Sequence, residues 1–490
     1  MKISSVIPEM NSVMLQNHSA PILITVGLMA LTGCNLKKGT EKSALSKKPN
    51  IIYILADDLG YSDIGPYGQK LIRTPNLNRM ANSGMLFTNH YAGTSVCAPS
   101  RSVLMSGLHS GHTFVRGNKE AEPYGQIPLK DSIITVAEIL KTAGYKTGLI
   151  GKWGLGVEET EGDPQKQGFD YFYGYYCQVH AHNAFPEYLF ENGQKVFLRN
   201  KVNYMPEDHW SRGLGGYATE KIDYSNDLFQ EKALKFIEDN CDTSFFLYLP
   251  VIVPHNNGEA PDSLKFETPS LYPYDTENWT YEEKCYASSV TRLDSMVGVL
   301  LQKINELGIG EETLVIFTSD NGPEKEDIFD SNAGMRGGKR DLYEGGLKVP
   351  FIAWWPGTIV PGSTSTHVSA FWDFLPTVCE LSSQPIPAWS DGISYLPALQ
   401  SKEQETHPHL YWEFHESGGK QAVRMGNWKA VRLDVNKNPD GEIMLFDLEK
   451  DPLESKDIAS GNPEIIKQIE EIMIHERVPS ELFPFGNDSN

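Results

Sequence analysis

Three stretches of this chain constrain its fold more than any other feature: Asn50–Asp58 (NIIYILADD), Lys146–Lys152 (KTGLIGK) and Thr313–Asn321 (TLVIFTSDN). Each begins as a short, apolar, β-branched run and stops abruptly in polar residues. Continuous apolar runs of this length suit strands buried on both faces, as in parallel sheets. Two of the three follow helical patterns that end at glycine. Asp131–Ala143 places apolar residues at Ile133, Ile134, Val136, Ala137, Ile139 and Leu140 ahead of Gly144. Glu282–Leu307 does so at Val290, Leu293, Met296, Val297, Leu300, Leu301 and Ile304 ahead of Gly308. Glycine just past the last turn is the expected helix stop. The repeated order helix, glycine, strand predicts an α/β fold: a large, mixed but mostly parallel sheet flanked by helices.

In open parallel sheets, ligands bind beyond the carboxyl ends of the strands. The residues at those ends are Asp57, Asp58, Lys152, Asp320 and Asn321. Strand periodicity alone therefore gathers three carboxylates, an amide and a lysine towards one rim. The net charge of −21 gives no basic face for nucleic acid, so a general nucleic-acid binder is excluded. An anionic ligand gains nothing from such an overall field. Its site must be built locally from a few cations.

The two ends of the chain read differently. From about residue 406 to 490, short runs separated by turn signals (LYWEFHE, KQAVRMGNWKAVRLD, EIMLFDLEKDPLE) predict antiparallel strands. A helix follows, with Asn462 as N-cap, Pro463 in the first turn, and Ile465, Ile466, Ile469, Ile472 and Met473 on its apolar face. This predicts a small C-terminal α+β subdomain, in which Trp412, Glu413 and Trp428 are structural. At the other end, Pro21–Leu31 is an apolar run of signal-peptide length. It leads into Leu31-Thr32-Gly33-Cys34, which resembles the lipobox of bacterial lipoproteins. The expected organisation is a leader over 1–34, a polar tether over 35–49, a main domain over 50–405 and the subdomain over 406–490. The resemblance implies an exported, periplasmic or cell-surface lipoprotein that touches the membrane only through a lipid anchor. Six cysteines are present without a CxxC pair, so Cys177, Cys241, Cys285 and Cys379 are expected as isolated thiols.

The string Cys97-Ala98-Pro99-Ser100-Arg101, continued by SVLMSGLHSGHT, resembles the motif of the sulfatases, in which the cysteine is oxidised to formylglycine (3-oxoalanine). The resemblance extends over most of residues 50–455 and implies the alkaline-phosphatase-like fold. A hydrated aldehyde offers two hydroxyls, one to attack sulfur and one to expel the sulfate by collapse. Pro99 fixes the turn, and a helix over 100–106 would favour an anion at its start, with Arg101 on the nucleophile side. Asp57, Asp58, Asp320 and Asn321 match the family's paired metal residues and, with the modified Cys97 as a fifth metal contact, imply one calcium ion, since hard oxygen ligands suit Ca²⁺. Lys152 (in GYKTGLIGK), Lys339 (in RGGK) and His255 (in LPVIVPH) match its sulfate-binding lysines and histidine. Lys339 or His255 would protonate the departing alkoxide. The resemblance further implies a formylglycine-generating maturation enzyme as partner.

One departure stands out. Many sulfatases carry a histidine after Lys-Trp as base for sulfate elimination, and here that position is Gly154. His112, His182 or water are the alternatives. Candidate substrate contacts are Arg116, Asn118, Gln178, His182 and His415, with Gln178 and His182 in a tyrosine-rich segment expected to loop over a pocket mouth. Aromatic and histidine side chains near a polar mouth suit a sulfated carbohydrate. The alternatives are a phosphonate or phosphate ester hydrolase of the same superfamily, or a lipoprotein that binds sulfated glycans without turnover.

Overall fold

The computed structural model describes residues 48–119, 121, 126–207, 214–324 and 328–485. The expected leader, Cys34 and most of the tether lie outside the described residues. In chain order the strands are β1 (Asn50–Asp57), β2 (Met85–Tyr91), β3 (Lys146–Lys152), β4 (Tyr171–Tyr175), β5 (Tyr188–Glu191) and β6 (Gln194–Phe197). They continue with β7 (Lys201–Tyr204), β8 (Gly216–Glu220), β9 (Phe245–Pro254), β10 (Thr313–Ser319), β11 (Phe351–Trp354) and β12 (Ser363–Ala370). The last four are β13 (Leu410–Phe414), β14 (Lys420–Met425), β15 (Trp428–Leu433) and β16 (Ile443–Asp447). The longer helices are α1 (Pro75–Ser83), α2 (Cys97–Ser106), α3 (Val136–Thr142), α4 (Ser225–Asn240) and α5 (Tyr281–Glu306). After the short turn α6 (Glu344–Leu347) come α7 (Phe374–Ser382), the short α8 (Leu396–Leu399) and α9 (Pro463–His475).

Among the described residues, ten strands form one mixed sheet in the order β12-β2-β11-β10-β1-β9-β3-β4-β5-β6. The three sequence-read strands are β1, β3 and β10, and the core run β10-β1-β9-β3-β4 is parallel throughout. Helices α1, α4 and α5 cover one face over a core that includes Ile52, Ile54, Leu249, Val290 and Val315. Helices α2, α3 and α7 cover the other, over Tyr53, Leu55, Leu104, Leu140 and Trp372. Helix α3 starts at Val136 rather than Asp131, because Thr135 caps it: its hydroxyl accepts from Glu138 N–H and the Glu138 carboxylate accepts from Thr135 N–H.

The central strand β9 is the one the apolar-run reading passes over. Its sequence FFLYLPVIVP is buried throughout but holds two prolines, which argue against a central strand. They are tolerated because the ladder slips there. Leu55 pairs with Pro250 and Asp57 with Pro254, so four steps on β9 oppose two on β1. The bulge delivers the next residue, His255, to the end of β1.

The C-terminal strands form the antiparallel sheet β13-β14-β15-β16. Alternation gives it two apolar faces. Leu410, Trp412, Phe414, Ala422 and Val431 join the core of the main domain, whereas Tyr411, Val423, Ala430 and Leu445 meet Ile469 and Met473 of α9. Asn462 precedes α9 as expected, but its side chain does not cap the helix: the amide donates to Ile458 O at 2.8 Å.

Candidate active site

Parallel pairing sets Ala56 against Ser319, so Asp57-Asp58 and Asp320-Asn321 leave the sheet side by side. Asp58 N–H donates to Asp320 Oδ1 at 3.1 Å, and the Asn321 amide donates to Asp58 Oδ1 at 2.7 Å. From the neighbouring strand end, Lys152 Nζ donates to Asp57 Oδ2 at 2.7 Å. Arg101, one turn into α2, donates to Asp320 Oδ2 at 2.7 and 3.2 Å and to Lys152 O at 2.7 Å. Two oxygens in this buried group, Asp57 Oδ1 and Asn321 Oδ1, have no hydrogen-bond partner. Buried acceptors are rarely left so unless something else satisfies them. Asp57, Asp58 and Asp320 also bring oxygens within 4.8 Å of one another. This all-oxygen donor set fits a hard dication such as calcium.

The charges fit the same picture. Burial raises Asp320 to about 7, helped by the adjacent Asp57 carboxylate and opposed by Arg101. Burial also opposes ionisation of Asp57, but the charged Lys152 and Arg101 outweigh it and hold that carboxyl far below the usual range. Lys339 is buried yet held charged by Asp58, 2.7 Å from its ammonium, and by Glu324 at 3.0 Å. Burial and the nearby Lys339 push His255 down, so its ring is neutral at pH 7. Its Nε2 lies 3.0 Å from Lys339 Nζ and is the natural acceptor of that proton.

Helix α2 begins at Cys97 itself, three residues earlier than the sequence predicts, with Val96 extended before it. The nucleophile candidate therefore sits at the positive end of the helix. Burial pushes the Cys97 thiol up, so an unmodified sulfur stays protonated at neutral pH. Its Sγ donates to Gln178 Oε1 at 2.8 Å. Gly154 explains how Gln178 comes so close. It adopts φ +80°, and a Cβ there would lie 3.1 Å from Gln178 Cγ. Gln178 fills the space that a side chain at 154 would need.

A cavity of about 350 Å³ opens over this group. Cys97, His255, Lys339, Asn118, Gln178 and His182 all line it. Gln178 also donates to Asn118 Oδ1 at 3.2 Å. His182 stacks on His255 with ring centres 4.7 Å apart and lies 2.9 Å from Glu259. Arg101 and Lys152 do not line the cavity; they are fully buried beneath it and hold Asp320 and Asp57.

Arg116 and His415 are corrections to the expected substrate set. Neither lines the cavity: Arg116 Nη1 and His415 Nε2 each turn to the buried Glu413 at 2.9 Å. His112 is not at the site either; it pairs with Asp391. Sequence reasoning missed several polar residues of the wall, among them Gln126, Glu259, Glu324 and Arg340. Glu324 and Arg340 lie within three residues of Asn321 and beside Lys339, the only signal that could have flagged them.

Residues 49–383 match the family described as Sulfatase, and residues 337–478 match the C-terminal region of N-sulphoglucosamine sulphohydrolase. The chain is 27% identical to an N-acetylgalactosamine-6-O-sulfatase of Bacteroides thetaiotaomicron, over 94% of this chain and 99% of that one. It is 32% identical to human arylsulfatase A over 88% of each. Among solved structures, Ps i-CgsB superposes with a TM-score of 0.72 at 26% identity, covering 88% of this chain and 93% of that one. With the parallel sheet, the carboxylate rim and Cys97 at the start of α2, these matches establish that the chain belongs to the sulfatase family, sulfuric ester hydrolases of the alkaline-phosphatase-like fold.

Proposed function

We propose that this enzyme hydrolyses sulfate esters of carbohydrates, with formylglycine made from Cys97 as nucleophile and one calcium ion held by Asp57, Asp58, Asp320 and Asn321. The observation that carries the reading is the pair of partnerless oxygens, Asp57 Oδ1 and Asn321 Oδ1, in the buried group next to Cys97. Two relatives support the substrate class. One is named an N-acetylgalactosamine-6-O-sulfatase, and Ps i-CgsB is also solved with k-i-k-neocarrahexaose.

The bound cation would polarise the sulfate and stabilise negative charge on the nucleophile. The chain's own residues do the rest. Arg101 and Lys152 fix the carboxylates from below. Lys339 and His255 face the cavity, where the ammonium binds a sulfate oxygen and the neutral imidazole, through Nε2, accepts from that ammonium and holds it in place. Lys339 supplies the proton to the leaving oxygen, directly or through His255. Gln178 holds the reacting group at residue 97 in place. The small cavity, with polar groups on several sides, suits one sulfated sugar ring rather than a polymer groove.

The test is hydrolysis of an aryl sulfate and of a panel of sulfated mono- and disaccharides by wild type and Cys97→Ala, with mass spectrometry of the peptide around residue 97. Activity with a carbohydrate, lost in the variant, and an aldehyde mass at 97 are expected. A fully active preparation in which residue 97 is still a thiol overturns the mechanism. The same proposal includes export and lipidation at Cys34, checked by membrane fractionation of wild type against Cys34→Ala.

A further inference from the structure

A second cluster of metal-ligating side chains lies at the other end of α2 from Cys97 and takes no part in the chemistry above. The turn after α2 carries His109 and His112, whose rings stack 4.1 Å apart. His109 Nε2 is 3.2 Å from Glu476 Oε2 and 3.7 Å from Asp391 Oδ2. His112 Nδ1 is 3.0 Å from Asp391 Oδ2, and His409 Nε2 is 3.0 Å from Glu476 Oε1. These five side chains come from four separate segments: the α2 turn, the loop before α8, the lead-in to β13 and the residue after α9.

The spacing matches what a coordination sphere requires. His109, His112 and Glu476 offer donor atoms that lie within 4.8 Å of one another. Zinc bonds of about 2.0–2.1 Å in a tetrahedron set ligand atoms about 3.3 Å apart. The separations of 3.0, 3.2 and 3.7 Å bracket that value. Imidazoles mixed with carboxylates select a borderline transition metal over calcium. Two carboxylates also match the charge of one dication.

The frame around the cluster is rigid, yet open on one side. A Cβ at Gly111 would lie 2.3 Å from Glu476 O, so only glycine lets the α2 turn approach the end of α9 this closely. Val478 N–H donates to Gly111 O at 3.1 Å, and His109 N–H donates to Asp391 Oδ2 at 2.9 Å. Trp372 and Tyr411 wall the inner side of His109. His112, with 26% of its side chain exposed, faces outward and leaves an entry path for an ion.

We infer that His109, His112, Asp391 and Glu476 form a second, four-coordinate metal site for a zinc-like transition-metal dication, which clamps the end of α9 to the turn after α2, with His409 orienting Glu476 from behind. The site is independent of the sulfatase chemistry.

The full chain, stripped with a chelator and returned to calcium, is titrated with zinc chloride by calorimetry. The wild type is expected to bind one zinc more than a His112→Gln/His409→Gln double variant does, at least tenfold more tightly, with a rise in Tm that the variant lacks. Cobalt(II) is the second probe: a four-coordinate site gives strong visible absorption that zinc then bleaches. Asp391→Asn serves as the comparison for cobalt should the double variant fail to fold. If wild type and variants bind zinc alike, or the cobalt spectrum stays at the weak six-coordinate level, the cluster is a set of histidine–carboxylate ion pairs and the proposal is overturned.

Discussion

The side-chain oxygen of Gln178 stands 2.8 Å from the sulfur of Cys97, in space that Gly154 leaves open by having no side chain. A glutamine cannot accept a proton as a histidine can, so its contribution is to orient the reacting group. Gln178→Ala removes that contact and is expected to lower kcat about 10- to 100-fold, the range of about 1–3 kcal/mol for a buried hydrogen bond. Steady-state kinetics with an aryl sulfate check this. An unchanged kcat would mean that Gln178 only fills space.

Restoring a histidine at position 154 is expected to fail in isolation. Gly154→His must adopt φ +80°, and its Cβ meets Gln178 Cγ at 3.1 Å. Activity should fall in the single variant, and Gln178→Gly in the same chain should recover part of it. A single variant as active as wild type contradicts the geometry.

The proposed cation site, built on the unpaired acceptors of Asp57 and Asn321, makes activity depend on a dication. Chelation is expected to abolish aryl sulfate hydrolysis, and calcium to restore it. Asp320→Ala should lose at least about 10³-fold in kcat, because it removes both a ligand and the partner of Arg101. Metal analysis of the purified protein alongside the assay decides the point. Full activity in a metal-free preparation rules the cation out.

Glu413 accepts from Arg116, Arg477, Tyr411 and His415 at 2.9–3.2 Å and is wholly buried. Glu413→Gln leaves the two guanidinium groups without their counter-charge and should cost about 3–5 kcal/mol of stability. Arg116→Ala should likewise lower Tm while leaving KM of the remaining folded enzyme unchanged. A raised KM at unchanged Tm would return Arg116 to the substrate site.

His407 Nε2 lies 2.7 Å from Asp373 Oδ1. Burial opposes its charging, but the Asp373 carboxylate wins and raises its pKa. A histidine whose folded pKa exceeds the unfolded value of about 6.5 stabilises fully below that pH and loses the contribution as pH rises through the folded value. Wild type should therefore exceed His407→Gln in Tm most at pH 5.5–6, and the gap should narrow towards pH 8.5. A gap that stays constant across this range refutes the pairing.

Much of this architecture was legible in the chain, for identifiable reasons. β1, β3 and β10 could be read because strands buried on both faces show unbroken apolar runs. Their ends name Asp57, Asp58, Lys152, Asp320 and Asn321 from the sequence alone. Strand β9 escaped because proline opposes strand pairing, and only the slipped register against β1 makes room for it. Arg116 and His415 were misplaced for a different reason. A polar residue near a site motif looks the same in sequence whether it faces a cavity or a buried carboxylate.

The sequence by itself determined the α/β class and the rim of carboxylates, because strand period and helix stops are local properties, while Cys97 was named by the resemblance of its motif to that of the sulfatases. Only the tertiary structure decided which groups meet. Gln178 reaches Cys97 across 81 residues, and Lys339 reaches His255 across 84. Such contacts depend on how strand ends and loops pack in space, and no local pattern encodes that. The residue that stands nearest the sulfur of Cys97 is thus set by the missing side chain of Gly154 and by the loop that fills its place.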